Sequence, residues 1–256
     1  MARFDNGPAT GGNAGVGEWL PLVHGTGPLT AANGWVDQGQ VLVNTRGAAD
    51  AVGATKMDRP EWIARYAKGS DVFCTLTNNT NRGVGSGPAT DDANPRGNNR
   101  WGHIIRWTET GGDAGALTFQ WALFVLAGNP ADATHGATPG IDAFGSPDGL
   151  RFDKFGRLWI ETDGTQPVAC NNQTLVADPS TGDIRRFLVG PKGCEITGIT
   201  FTPDHRTAFV NIQHPGEDGT ASNPRAQSNW PDFNPAGRPR DAVVAIRRKD
   251  GKVVGR

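Results

Sequence analysis

Apolar and polar positions alternate through GSPDGLRFDKFGRLWIETDG, residues 145–164, in two short runs separated by the turn-forming DKFGR. That period of two predicts a β-hairpin with one face in a core. Residues 194–214, CEITGITFTPDHRTAFVNIQH, repeat the pattern. Asp148-Gly149-Leu150 and Phe152 match Thr197-Gly198-Ile199 and Phe201. DKFGR matches TPDHR and, after a one-residue insertion, Trp159-Ile160 matches Phe209-Val210. A third copy lies upstream in RPEWIARYAKGSDVFCTLTNN, residues 59–79, where Glu61 precedes Gly69 by the same eight residues that separate Asp148 from Gly156.

Each copy is followed by a second hairpin-like pair: 102–128 turning at GGD, 173–190 turning at PSTGD, and 242–255 turning at KDGK. Four strands per unit, recurring every ~45–90 residues, predict β-propeller blades. The expected organisation is all-β: one partial propeller domain over 1–256, with blades at about 58–128, 145–190 and 194–256. Residues 1–57 form an N-terminal extension with one short helix at 44–52, where an Ala-rich run closes on Gly53. Loops 84–99 and 129–144 fall at the blade mouths. Three blades do not close a ring, since closure is what protects sheet edges. Either something else completes the ring, for example a second copy in a homo-oligomer, or the chain is part of a longer one.

Composition narrows the partners. With 36 Gly and 18 Pro among 256 residues, strands joined by turns are favoured over long helices. The net charge of −1 gives no electrostatic reason to expect nucleic acid or an acidic membrane. No apolar run is long enough for a transmembrane helix. MARFDNGPATGGNAG contains neither an apolar signal core nor a twin-arginine pair, which alone predicts a cytoplasmic protein. Cys74, Cys170 and Cys194 are far apart and read as isolated thiols.

The candidate chemistry lies at the heads of the three copies. In a propeller the first strand of each blade lines the axis, so Glu61, Asp148 and Glu195 can converge there. Carboxylates sharing a small volume repel one another and lose hydration. A hard multivalent cation such as calcium resolves both costs. The alternative is that each acid caps its own surface turn. Arg59, two residues before Glu61, suits a phosphate held by paired hydrogen bonds, or else neutralises Glu61 or Asp58. The second strands end in polar tips at Asn78-Asn79, Thr162-Asp163 and Asn211 to His214. Their oxygens can complete a metal shell, and His214 can bind metal or phosphate or make a structural hydrogen bond. His103 reads as structural. No GxSxG, HExxH, P-loop or dinucleotide-binding glycine motif is present.

GATKMDRPEW, TLTNNTNR, ANPRGNNRWGHIIRW, SPDGLRFDKFGRLWIETDG and CEITGITFTPDHRTAFVNIQHPGE occur in this order. They resemble the consecutive signature blocks of PhoX-type alkaline phosphatases, over about residues 17–256. The resemblance implies a six-bladed β-propeller phosphomonoesterase with a calcium and iron cluster at its axis, exported to the periplasm or secreted, and serving phosphate scavenging. Carried over residue by residue, Arg59 matches the phosphate-contacting Arg of the DRPEW block and Glu61 its metal-ligand Glu. Asp148 and Glu195 match acids expected as metal ligands. The chain resembles only the C-terminal part of the family, so an iron-ligand cysteine from the N-terminal part has no counterpart among Cys74, Cys170 and Cys194.

Two other readings stand beside it. PDGLRFDKFGRLWI is similar to the strand motif of calcium-dependent lactonase propellers of the SMP-30 group, although the DRPEW and QHPGE blocks are foreign to that group. A non-catalytic partial propeller that binds a partner or one calcium ion is the other.

Overall fold

The computed structural model describes residues 1–6 and 14–255. Among them, thirteen strands form three antiparallel sheets, so the chain is all-β. The first sheet contains β1 (Ala2–Asn6), β2 (Ala14–Trp19), β3 (Pro60–Arg65), β4 (Val72–Leu76), β5 (His103–Glu109) and β6 (Thr118–Leu126), in the order β1-β2-β6-β5-β4-β3. The second is a meander of β7 (Pro147–Phe152), β8 (Leu158–Thr162), β9 (Gln173–Asp178) and β10 (Asp183–Val189). The third holds β11 (Glu195–Phe201), β12 (Thr207–Gln213) and β13 (Ala242–Arg247).

Strand alternation explains how the sheets stack. On β8, Leu158 and Ile160 point into a core shared with Phe73, Ile104 and Val125 of the first sheet. Trp159, between them, points the other way, into a core with Ile196, Ile199, Ala208 and Val210 of the third sheet. The middle sheet is therefore apolar on both faces, and every residue of β8 is buried. The fully buried Trp159 donates its indole N–H to Asp153 Oδ2 (3.0 Å), which satisfies the one polar atom that burial would otherwise strand.

Three features depart from the sequence-based expectation. The N-terminal segment is no mere extension, because β1 and β2 continue the first sheet outward from β6. The glycine-rich run hides this strand pairing. Gly17 lies opposite Phe119, whose ring occupies the place a side chain on Gly17 would take. The predicted helix at 44–52 is α2 (Thr45–Ala51), and a second helix that the sequence reading missed, α1 (Gln38–Val43), precedes it across a break at Asn44. α1 begins where Asp37 accepts from Gln40 N (2.7 Å), an N-cap bond that Ala-richness could not reveal.

The third correction concerns the last sheet, which has three strands among the described residues, not four. The segment after β13 turns away toward the second sheet instead of pairing with β13. Val254 N donates to His205 O (3.0 Å), and the Arg157 guanidinium binds the carbonyls of Val254 and Gly255.

Candidate active site

The hairpins β3–β4, β7–β8 and β11–β12 share one irregularity. Their registers shift between Pro60 and Ile63, between Pro147 and Leu150, and between Thr197 and Thr200. A bulge at each leading strand re-aims its side chains and frees backbone N–H groups. Arg59 and Ser146 stand one residue, and Glu195 two residues, ahead of the last pair before the shift. Thr77 N donates to Arg59 O (3.0 Å), Asp163 N donates to Ser146 O (3.0 Å), and Glu195 pairs with Gln213. Glu61 and Asp148 lie within the bulge itself, where the third hairpin has Gly198. The acids thus come from two different repeat positions and still meet.

Asp148 is the most enclosed of the predicted ligands, 6% exposed. Burial pushes its carboxyl up to about 7, and the nearby charges of Glu61, Glu195 and Asp163 push the same way, while Arg59 opposes them. Glu195 is raised by burial and by Asp163, and His214 offsets part of this. Arg59 Nε lies 3.0 Å from Glu61 Oε1, and its Nη2 lies 3.5 Å from Asp163 Oδ2, so one guanidinium ties two sheets together. Asp163, Glu195 and His214 each offer one ligand atom, all within 4.8 Å of one another. His214 Nε2 is 3.4 Å from Glu195 Oε2, and its backbone N donates to Asp241 Oδ1 (2.7 Å). Gln213 also donates to Glu195 Oε2 (2.7 Å).

Glu61, Asp148 and Glu195 are therefore brought together, with Arg59 beside Glu61 and Asp163, and His214 beside Glu195. Asn78 is half-buried just beyond β4. No hydrogen bond to the acids places it among them.

Sequence reasoning missed Glu161. It follows Trp159 on the face of β8 that looks at the third sheet, and it is fully buried. Its Oε2 accepts from Ile199 N (3.2 Å), one of the amides at the β11 bulge, and the Gly198 amide also stabilises its charge. Burial outweighs those amides and pushes the carboxyl up to about 7, with Glu195 and Asp148 adding to the rise. Its Oε1 is buried with no hydrogen-bond partner. Thr75 holds the corresponding place on β4. Its hydroxyl accepts from Trp62 N (2.9 Å) and donates to Asp148 O (2.7 Å). The only signal in the sequence was a carboxylate inside the apolar run LWIET.

Glu61, Asp148, Asp163, Glu195 and Glu161 thus face one guanidinium and one imidazole. A group of acids held partly desolvated, with one carboxylate oxygen unpaired, fits a hard cation bound through oxygen. No thiol is among the ligand atoms grouped by Asp163, Glu195 and His214. Burial pushes the thiols of both Cys74 and Cys194 up to about 12 in the metal-free chain, and Cys170 lies in the 164–172 connection beyond β8.

The family described as alkaline phosphatase PhoX matches residues 1–216. Among solved structures, the chain is similar to Pseudomonas fluorescens PhoX in complex with vanadate, a transition-state analogue. The identity is 49% and the TM-score 0.90, over 99% of this chain and 45% of that one. The chain therefore spans less than half the length of that relative. No curated protein matches it. With a family match over most of its length and near-half identity across almost all of it, the chain belongs to the PhoX alkaline phosphatase family.

Proposed function

We propose that the chain supplies the C-terminal part of a metal-dependent phosphomonoesterase, and that its three sheets are consecutive blades of a six-bladed propeller forming one partial domain. The observation that carries this reading is the convergence of Glu61, Asp148, Asp163 and Glu195 from three sheets around the Arg59 guanidinium. The PhoX relative was solved with vanadate, a mimic of the phosphoryl group in transfer.

In this reading Glu61, Asp148 and Glu195 hold calcium, with Asp163 and Glu161 supplying further oxygens. A bound cation polarises phosphoryl oxygens and lowers the pKa of bound water. Arg59 pairs with the phosphoryl oxygens and stabilises the charge that builds on them. His214 and Asn78, each just past the second strand of its hairpin, contact the substrate. Iron belongs to the proposal through the family. A periplasmic or secreted enzyme that releases phosphate from phosphomonoesters is the corresponding biological role.

The test is hydrolysis of p-nitrophenyl phosphate by the purified chain supplied with calcium and iron, beside Glu61→Ala. Turnover lost on chelation and in the variant supports the reading. Turnover that survives both places the chemistry elsewhere.

A further inference from the structure

A second charged cluster lies one residue upstream of Arg59, and the acid cluster does not use it. Asp58 and Arg82 form an ion pair at 2.8 Å, 0% and 1% exposed. Asp58 Oδ1 also accepts from Asn79 Nδ2 (3.0 Å), and Oδ2 accepts from Asn99 Nδ2 (2.8 Å). The backbone N of Asp58 donates to Asn94 Oδ1 (3.0 Å). Arg82 directs its remaining donors to Ala89 O (2.7 Å) and to Lys56 O, with Asp91 Oδ2 at 3.4 Å. Two charges taken out of water repay their desolvation only with such complete bonding.

What this knot holds is the Lys56–Asp58 backbone, gripped at Lys56 O and at both ends of Asp58. The chain then enters Arg59 at φ +55, followed by Pro60. A side-chain-bearing residue seldom adopts that left-handed conformation, and the residue before proline is further restricted. Such a conformation persists only where the surroundings over-determine it. Here the knot fixes it from upstream, and the bond from Thr77 N to Arg59 O fixes it from β4.

We infer that the buried Asp58–Arg82 knot, with Asn79 and Asn99, is a positioning device for Arg59. It sets the backbone angle that delivers the guanidinium to Glu61 and Asp163, and so it governs phosphate affinity without touching phosphate. The inference rests on the proposed role of Arg59.

A double-mutant cycle tests it. Binding of inorganic phosphate to the purified chain in calcium is measured by calorimetry for Asp58→Asn and Asn79→Ala, each alone and combined with Arg59→Ala. Asn79→Ala removes one donor and leaves the ion pair in place, so it serves if Asp58→Asn does not fold. The expected loss is about tenfold with Arg59 present and less than about twofold without it, the non-additivity of groups acting through one another. An equal loss in both backgrounds, or wild-type affinity in both single variants, overturns the positioning role alone. Wild-type affinity in Arg59→Ala by itself overturns the Arg59 reading, and this inference with it.

Discussion

Glu161 occupies the space that a side chain at Gly149 would need. A Cβ on Gly149 would lie 2.5 Å from Glu161 Oε2 and 2.9 Å from its Cβ. Gly149 has no positive φ to explain its glycine, so close packing is what requires it here. Through that gap Glu161 reaches past the β7 bulge to the amides of the next sheet.

Gly149→Ala is therefore expected to destabilise the chain by roughly 1–3 kcal/mol, the usual cost of overpacking. Glu161→Ala, which empties the space, should absorb much of that cost when the two are combined. Urea unfolding of the two single variants and the double variant measures the coupling. Simple additivity would show that the glycine is needed for another reason.

The acid cluster sets the pH dependence of the metal-free chain. Asp148 and Glu161 titrate near 7 when folded, against ordinary values of 3.8 and 4.5. Between about pH 4 and 7 the unfolded chain gives up these protons first, so stability falls as pH rises through that window and levels off above it. The buried His103 imidazole, lowered to about 4, and the lowered His205 oppose part of this fall within the same window, whereas the lowered carboxyls of Asp153, Asp178 and Asp204 act only in the acid range below 4. In EDTA, unfolding at pH 5 should exceed that at pH 8 by roughly 2–4 kcal/mol. A rise in stability toward pH 8 would contradict the burial of these groups.

Calcium should reverse that slope, because binding requires the same carboxylates in ionised form. Affinity measured by calorimetry is expected to tighten by about tenfold or more from pH 6 to pH 8, with proton release. Glu161→Gln should keep the packing while reducing the pH dependence. An unchanged calcium isotherm in this variant would remove Glu161 from the ligand set.

Arg59 offers a contrast between side chain and backbone. Its side chain is half exposed, so the bonds to Glu61 and Asp163 contribute little to stability. Arg59→Ala should leave the fold intact and weaken phosphate binding by about 10- to 100-fold, the range for charge-assisted hydrogen bonds. Arg59→Gly should lose the same affinity yet be about 1 kcal/mol more stable than Arg59→Ala, and so melt at a higher temperature, because glycine accepts φ +55 without strain. Equal melting points for the two variants would mean that the backbone there is relaxed.

Much of the architecture is written locally. The alternation in 59–79, 145–164 and 194–214 announces three leading hairpins, and each pairs in the expected strands. The turn residues DKFGR and TPDHR fall where Asp153 N meets Arg157 O and Thr202 N meets Thr207 O. Where periodicity was masked by glycine, as in β2, or by short local caps, as in α1, the reading failed. The last sheet failed for a different reason, since KVVG alternates like a strand but Arg157 from the second sheet claims its carbonyls.

The sequence by itself determined the all-β repeats, the family blocks, and the positions of Arg59, Glu61 and Asp148 at strand heads, because pairing and bulges are encoded within each hairpin. Only the tertiary structure decided which charges face one another. It brought Asp163 and Arg59 together across sheets, gathered Glu195 from ahead of its bulge with acids that lie inside theirs, and buried Glu161 against a neighbouring bulge. The reason is electrostatic. A carboxylate's proton affinity depends on its lost hydration and on charges through space, and neither is a property of the chain near it.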